Sequence, residues 1–299
     1  LPVLRRLVRG ATVVLRPHPQ IGRVPERAGP GVGAAVADLV AYALAEENGE
    51  TQTGFGFSVG RAPQDLDVDE AAYDAVYRAT RMLGATKPPS QRLTVVLDPF
   101  VTAQFLAIVG STLSGDAVLK GRSPFGDRVD QVIAAESVTF VDDPTDVRAF
   151  TAGSHDGEGL ATRRNVLIDR GRLTGFVHDA YSGRRSGVAS TGSAVRSSRT
   201  TPMAGWQAIS LLQGERPPAE LLAEVGDGLL VADVAGLHSG VNPVSGDFST
   251  GADGLWIRNG ELADPVREFT IASTLQRMLQ DVVAVGSDLT WLPMSAAGV

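Results

Sequence analysis

Three short turn sequences, each between two segments of apolar residues, constrain the fold of this chain more than any other feature. They are Asn48-Gly49, Arg170-Gly171 and Asn259-Gly260. Asn and Gly tolerate the left-handed backbone that a two-residue hairpin turn requires, and the flanking segments carry the apolar pattern of strands. We therefore expect β-hairpins over residues 34–61, 165–177 and 254–263. Sheet built from such hairpins is mostly antiparallel.

Helical spacing of apolar residues predicts helices that pack on these hairpins. Asp67 or Asp69 can cap a helix that runs to about Leu83, and residues 100–113 have the spacing of a second, largely apolar helix. Residues 270–285 are predicted to form a closing amphipathic helix. Other apolar segments predict strands over 93–97, 132–141 and 229–234. The expected fold class is α+β.

A domain boundary is expected at Lys87-Pro88-Pro89, because consecutive prolines interrupt both helix and strand. The sequence then divides into an N-terminal region over 1–87, with a hairpin and a helix, and a C-terminal domain over 88–299. Residues 1–33 give no clear element. Residues 182–205 are rich in Ser, Gly, Thr and Arg, which predicts a long loop.

Composition excludes several classes of site. The chain has no cysteine, so disulfides, thiol nucleophiles and Cys-ligated zinc are excluded. A formal net charge of −7 argues against nucleic acid as a partner, although residues 1–30 contain six arginines and one glutamate. That basic segment is either a contact arm or a poorly ordered lead-in. No apolar run approaches the ~20 residues of a membrane span, and no secretory signal is recognised. We therefore expect a cytoplasmic protein without membrane contact.

Motifs for a self-sufficient active site are missing from the sequence. The histidines, His18, His155, His178 and His238, lie too far apart for the helical zinc pair, which needs two of them about one turn apart. The chain has neither a G-x-S-x-G elbow nor a G-x-x-x-x-G-K-[ST] loop, so a serine hydrolase site and a nucleotide site lack support. A metal site assembled from distant His and acidic residues stays open.

Two clusters of charged residues are candidates for binding. In residues 155–159, Asp156 and Glu158 lie beside glycines, and the two carboxylates can hold a cation or a substrate amine. The alternative is a solvated turn that leads into the 165–177 hairpin. Residues 181–187 carry Arg184 and Arg185, which form either a basic contact loop or a solvated one.

A third cluster, residues 240–249, is dense in small polar side chains. Asn242, Ser245, Asp247 and Ser249 lie there among glycines. Such a segment suits a cleft that binds a peptide or ligand along its backbone, and a tight structural connection is the competing interpretation.

Several short motifs follow one another from about residue 34 to residue 290. They include Gly49-Glu50-Thr51-Gln52-Thr53-Gly54, Val141-Asp142-Asp143-Pro144, Asp156-Gly157-Glu158-Gly159, residues 242–249 and Pro265-Val266-Arg267-Glu268-Phe269. Each motif is weak alone, but the ordered set resembles the TldD/TldE (PmbA) family of peptidases, historically labelled modulators of DNA gyrase. The resemblance implies a C-terminal domain of mostly antiparallel sheet with packed helices, preceded by the remnant of an α/β N-terminal domain.

The resemblance implies a peptidase built from two different subunits. The catalytic subunit of this family carries the motif H-E-x-x-x-H. When the stretch that follows this motif is aligned with residues 113–116, the motif positions fall at Leu106, Ala107 and Ser111. None of these residues can bind zinc or act as a base. The chain is therefore similar to the TldE half, a metal-free subunit without catalytic residues or cofactor.

The same resemblance implies the partners of the chain. They are a TldD-like zinc-bearing subunit, in a heterodimer or larger complex, and an unfolded or modified peptide that the complex cleaves. The residues expected to contact the peptide are Asn242, Ser245, Asp247 and Ser249, followed by Asp156 and Glu158. The alternatives are a stand-alone peptide-binding or scaffold protein linked to topoisomerase regulation, and a self-sufficient hydrolase that uses Ser or carboxylates.

Overall fold

The computed structural model describes residues 12–15, 37–292 and 297–298. The strands run over Thr12–Leu15 (β1), Ala37–Glu47 (β2), Glu50–Gly60 (β3), Val95–Leu97 (β4), Phe140–Asp142 (β5), Asn165–Asp169 (β6), Arg172–Leu173 (β7), Ala194–Val195 (β8), Met203–Ala204 (β9), Ile209–Leu211 (β10), Gly228–Ala235 (β11), Asp247–Arg258 (β12), Glu261–Thr274 (β13), Trp291–Leu292 (β14) and Ala297–Gly298 (β15). The helices run over Val68–Thr80 (α1), Pro99–Thr112 (α2), Gly115–Leu119 (α3), Ala180–Ser186 (α4), Pro218–Val225 (α5), Leu237–Gly240 (α6) and Leu275–Gln280 (α7). Within residues 1–33 only β1 is described, so the expectations for the remainder of that segment lie outside the described residues.

The described strands form three sheets and one short ribbon. The sheets have the orders β1-β2-β3, β13-β12-β11-β4 and β14-β15-β10-β5-β6-β7, and the ribbon pairs β8 with β9. Pairing is antiparallel except between β4 and β11 and between β10 and β15. Helices pack on these sheets, and the predicted α+β class with mostly antiparallel sheet is confirmed.

All three predicted hairpins are present, as β2–β3, β6–β7 and β12–β13. The φ angles at their turns are 51° and 81° for Asn48-Gly49, 42° and 81° for Arg170-Gly171, and 51° and 80° for Asn259-Gly260. Positive φ at both central residues is the geometry of a type I′ turn, whose twist matches the twist of the paired strands. The turn residues therefore account for the position of each hairpin.

The predicted helix over 270–285 is mostly wrong. Strand β13 continues to Thr274, and only Leu275–Gln280 is helical. The β-branched residues Thr270 and Ile271 pair with Gly251 and Thr250 of β12, and this ladder overrides the helical spacing of the segment. The helix begins where the Thr274 hydroxyl accepts a hydrogen bond from the Arg277 amide at 3.1 Å.

Two other predictions are corrected in part. The strand expected over 132–141 is reduced to β5, because the amides of Ile133 and Ala134 instead donate to the Gly171 carbonyl at 2.8 and 3.1 Å. The loop expected over 182–205 contains the end of α4 and the β8–β9 ribbon. Asp179 caps α4 by accepting a hydrogen bond from the Ser182 amide at 2.7 Å.

Helix α2 is the central element of the main core. It packs against β4 and β11 of the four-stranded sheet and against β10 and β15 of the six-stranded sheet. Its side chains Val101, Phe105 and Val109 are almost completely buried, and the ring of Phe105 lies 5.1 Å from that of Phe248. Each such side chain contributes about 1.5–3 kcal/mol through burial. The predicted apolar helix over 100–113 is thus confirmed as a helix between two sheets.

A second, smaller core joins α1 to the β2–β3 hairpin and consists mostly of alanine. Its buried members are Ala41, Ala43, Ala45, Ala71, Ala75, Val76 and Ala79. Glycines let the helix backbone approach the sheet. A Cβ atom on Gly54 would lie 2.2 Å from the Ala75 oxygen, and one on Gly56 would lie 2.0 Å from the Ala71 oxygen. The close contact therefore depends on the absence of side chains at these two positions.

The hairpin and α1 are joined to the remainder of the chain at the first turn of α2. The Phe100 ring contacts the rings of Phe55 and Phe57 edge-on, with centroids 4.7 and 5.1 Å apart. Asp98, the N-cap of α2, pairs with Arg78 at 3.3 Å and is 3.9 Å from Arg81. The domain boundary expected near residue 87 stays a prediction.

None of the helices in the described part of the chain combines the length and the apolar character that crossing a membrane requires.

Replacing Gly54 with Ala tests the close packing of α1 on the hairpin. Because the new Cβ atom would meet backbone atoms rather than flexible side chains, α1 must shift outward, and we expect a loss of at least about 2 kcal/mol in unfolding free energy. Denaturant unfolding followed by circular dichroism measures this loss. Gly175→Ala is the matched control, since a Cβ atom there meets nothing within 4 Å. Equal stability of the two variants would contradict the packing argument.

Candidate functional site

The predicted segment 242–249 forms a tight exposed turn that leads into β12. The Asn242 side-chain oxygen accepts hydrogen bonds from the amides of Val244, at 2.9 Å, and Ser245, at 3.3 Å. The Asn242 amide donates to the Asp247 carbonyl at 2.8 Å, and Gly246 has a φ of +81°. These bonds hold the turn rigid while the side chains at its surface stay solvent-exposed.

The four predicted contact residues of this cluster lie together. The Ser245 hydroxyl donates to the Asp247 carboxylate at 2.5 Å, and the Gln276 side chain donates to the Ser245 carbonyl at 2.9 Å. Ser249 is exposed on β12, directly opposite Ala272 of β13. The structure therefore brings Asn242, Ser245, Asp247 and Ser249 to one exposed surface at the start of β12.

This surface adjoins the outer edge of β13. Thr86 pairs with Val266, and the Arg267 amide donates to the Thr86 carbonyl at 3.0 Å. Beyond that point, from residue 268 to 274, no strand in the described part of the chain pairs with the outer side of β13. We call residues 268–274 the open edge. An open edge offers backbone donors and acceptors to an extended peptide.

Asp156 and Glu158 are placed differently from the turn. Asp156 is 8% exposed as a residue, and its carboxylate accepts hydrogen bonds from the amides of Glu158 and Leu160, both at 2.9 Å, and from the amide of Ala194 at 3.0 Å. One Glu158 oxygen accepts from the Ala180 amide at the start of α4, at 2.8 Å. Within the described residues no hydrogen bond or ion pair joins this cluster to the 242–249 turn. These carboxylates hold backbone segments together, and their predicted contact with a peptide stays a prediction.

Sequence reasoning missed an acidic group at a bulge in the four-stranded sheet. Asp233 of β11 faces Asp253 of β12, where both strand pairings shift register. The Glu268 amide donates to Asp253 at 2.8 Å, and Glu268 itself has a φ of +55°. Desolvation and the charges of Asp253 and Asp98 raise the pKa of Asp233. The available signal was the single acid, Asp233, inside the otherwise apolar strand β11.

A second missed group is the fully buried Asp142 of β5. One of its oxygens accepts hydrogen bonds from the amides of Gln207 and Ala208, at 2.9 and 2.7 Å. The other oxygen has no hydrogen-bond partner among the described residues. Burial raises the pKa of Asp142 to about 6, against the opposing effect of the two amides.

The residues at the family's zinc-motif positions do not fit zinc. Leu106 is buried on α2, Ala107 is half-buried, and the Ser111 hydroxyl donates to the Ala107 carbonyl at 2.8 Å. These side chains supply neither the nitrogen nor the carboxylate ligands that zinc requires. In the part of the chain that the structure describes, no three His, Cys, Asp or Glu side chains are grouped to hold a metal ion.

The described histidines have neighbours of their own. The buried His178 ring lies with Nδ1 3.2 Å from the Ser182 hydroxyl, and burial lowers its pKa while Asp179 acts in the opposite direction. His155 Nδ1 is 2.9 Å from the Ser154 hydroxyl. A Cβ atom on Gly115 would lie 2.2 Å from His178 Nδ1, so this histidine fixes the contact between α3 and α4.

Comparison with known proteins finds one family. Its model, described as the PmbA/TldA metallopeptidase C-terminal domain, matches residues 90–298. Metalloprotease PmbA of Escherichia coli O157:H7 is 32% identical over 253 residues, which cover 84% of this chain and 54% of that protein. The chain therefore spans about half the length of the curated relatives it matches.

Solved structures agree with this match. A proposed modulator of a DNA gyrase from Thermotoga maritima superposes with a TM-score of 0.83 at 26% identity, over 89% of this chain and 60% of that one. TldE from Thermococcus kodakarensis superposes with a TM-score of 0.80 at 26% identity, over 87% of this chain and 59% of that one.

Asp142→Asn tests the raised pKa of this buried group. Because the folded-state pKa lies above the unfolded value, the native state binds the proton more tightly, and the contribution of Asp142 to stability is present below about pH 4. This contribution is lost as the pH rises through about 6, which lowers the free energy of unfolding by about 3 kcal/mol. Asn keeps the acceptor for Gln207 and Ala208 and carries no charge. We expect the stability of the wild type, relative to the variant, to fall between pH 4 and 6.

Urea unfolding across this pH range measures the difference. Asp127→Asn is the control, since Asp127 is an exposed carboxylate whose charge is not among the causes of the raised Asp142 pKa. An Asp142→Asn variant with the same pH dependence as the wild type would show that this carboxyl does not titrate as described.

Proposed function

The chain belongs to the PmbA/TldD metallopeptidase family, and on this premise we propose that it is a metal-free, TldE-like subunit of a heteromeric zinc metallopeptidase. In this proposal the zinc and the catalytic groups belong to a TldD-like partner. This chain supplies part of the groove that holds an unfolded or modified peptide. The proposal concerns the activity of the whole complex. The chain itself spans about half the length of its curated relatives.

The composition of α2 carries the proposal. At the positions where the family resemblance puts H-E-x-x-x-H, the helix has Leu106, Ala107 and Ser111, and the first of these packs in the main core. These three side chains cannot hold zinc. An aliphatic face instead stabilises a helix that lies between two sheets. This arrangement supports an accessory role rather than a catalytic one.

The open edge and the 242–249 turn support a role in peptide binding. A peptide that pairs with an exposed strand gains its affinity from backbone hydrogen bonds, so such binding tolerates many side-chain sequences. The exposed side chains of Asp247 and Ser249 lie on the sheet face beside that edge, opposite Thr274 and Ala272. Their polar atoms can orient the peptide without entering its backbone ladder.

An accessory subunit of this kind contributes to catalysis by positioning. When a groove closes over a partner's metal, it excludes water and holds the scissile bond near the reacting groups, and this can be worth several kcal/mol of the barrier. The Asn242 hydrogen bonds keep the turn in one conformation, which reduces the ordering cost of binding.

Peptidase activity measured in a reconstituted mixture tests the proposal. Cleavage of an unstructured fluorogenic peptide and bound zinc are measured for this chain, for a TldD-like protein carrying H-E-x-x-x-H, and for the two together. We expect efficient cleavage in the mixture only, zinc on the partner only, and loss of cleavage with a chelator.

Zinc bound to this chain, with cleavage by the chain alone, would overturn the accessory role and favour a self-sufficient hydrolase. If the two proteins neither associate nor gain activity in the mixture, the alternative of a stand-alone peptide-binding or scaffold protein is favoured instead.

The double variant Ser245→Ala and Asp247→Ala tests the contribution of the turn. Loss of two exposed polar groups is expected to raise KM of the mixture at least about fivefold, with kcat changed less, since each such contact is worth about 0.5–1.5 kcal/mol. Asp127→Ala, at an exposed carboxylate in another loop, serves as the control. An unchanged KM in the double variant would show that Ser245 and Asp247 do not contribute to peptide binding.

A further inference from the structure

Residues 180–214 form an acid-free basic segment in an acidic protein. Between Asp179 and Glu215 there is no aspartate or glutamate, whereas the whole chain has a formal net charge of −7. The segment contains four arginines, Arg184, Arg185, Arg196 and Arg199. All four are exposed.

These arginines also differ from the others in their contacts. Most arginines of the described residues contact a carboxylate, a carbonyl, an amide or an aromatic ring; examples are Arg78 with Asp98 and Arg163 with the Thr191 carbonyl at 2.9 Å. The described arginines whose side chains have no such partner are Arg92, Arg122, Arg170, Arg184, Arg185, Arg196 and Arg199. Unpaired guanidinium groups are therefore concentrated in this one segment.

The elements that carry them are in mutual contact. Helix α3 packs against α4, and both contact β9 of the ribbon. Arg184 and Arg185 lie in the last turn of α4, and Arg196 follows β8 directly. Arg199 lies in the loop that joins the two ribbon strands, and Arg122 follows α3, with its amide bonded to the Ala117 carbonyl at 2.8 Å. We call this set of five arginines the ribbon surface.

Three acids on or beside these elements have partners of their own. Asp116 pairs with Lys120 at 2.8 Å, Asp179 caps α4, and Glu158 accepts the Ala180 amide. A helix C-terminus favours cations, which accounts for Arg184 and Arg185 at most. It does not account for Arg196 and Arg199, which lie on the ribbon.

We propose that the ribbon surface binds an acidic peptide segment. Guanidinium groups bind carboxylates through two parallel hydrogen bonds, and several unpaired arginines on one surface attract a run of Asp or Glu residues. A short peptide responds to this local field, whereas a long polyanion such as nucleic acid also meets the net negative charge of the protein. Exposed Tyr181 and Val188, at 58% and 50%, add apolar contact area. This inference concerns binding alone and does not require the proposed cleavage.

Fluorescence anisotropy tests the proposal with the whole 299-residue chain. The probe is a labelled Glu-rich peptide, compared with the same peptide carrying Gln at each Glu. We expect the Glu-rich peptide to bind measurably and the Gln-substituted peptide not to bind. A higher salt concentration should weaken the binding of the Glu-rich peptide. The fourfold variant Arg184→Gln, Arg185→Gln, Arg196→Gln and Arg199→Gln should weaken binding about tenfold, since each exposed charge pair contributes modestly.

The double variant Arg92→Gln and Arg170→Gln is the matched control, because it removes two unpaired arginines that lie outside the ribbon surface. It should bind like the wild type. If the fourfold variant proves unfolded by circular dichroism, the pair Arg196→Gln and Arg199→Gln should still weaken binding about threefold. Equal binding of the Gln peptide, or unchanged binding in the arginine variants, would overturn the proposal. Tighter binding of a single-stranded oligonucleotide would also overturn it and assign the surface to nucleic acid.

Discussion

Burial of α2 between two sheets is the constraint on which the rest of the structure depends. The helix is apolar on most sides, so the four-stranded and the six-stranded sheet must both cover it before its side chains leave water. Its N-terminus also contacts the N-terminal hairpin through Phe100 and helix α1 through the Asp98 carboxylate. One helix therefore joins segments that are more than 150 residues apart in sequence, from Phe55 of β3 to Phe248 of β12.

The same constraint bears on the chemistry of the chain. A helix that is packed on several sides has room for aliphatic side chains, and a cluster of ligands there needs polar partners and access to solvent. Leu106 is buried and packs in the core, but its side chain has no atom that can bind a metal ion. In the proposed complex, this helix is structural and the catalytic groups belong to the partner subunit.

Polar groups in this molecule divide into two kinds by burial. Asp142, Asp156, Asp179 and His178 are buried, and backbone amides or neighbouring side chains account for most of their hydrogen-bonding capacity. Such groups determine how loops meet one another. The 242–249 turn and the ribbon surface keep their side chains in solvent, where contact with a peptide costs little desolvation. The open edge of β13 lies beside the first of these surfaces.

The local features could be predicted from the sequence because a few residues encode them. Asn48-Gly49 and Asn259-Gly260 permit positive φ at two successive positions, and Asp67 caps a helix through its own side chain. Features that depend on distant partners could not be predicted in this way. Residues 270–274 became strand because β12 was available to pair with them, and Asp156 became a buried acceptor because the Ala194 amide came within reach. Residue type and spacing determine backbone preference, whereas burial and pairing depend on which segments the tertiary fold brings together.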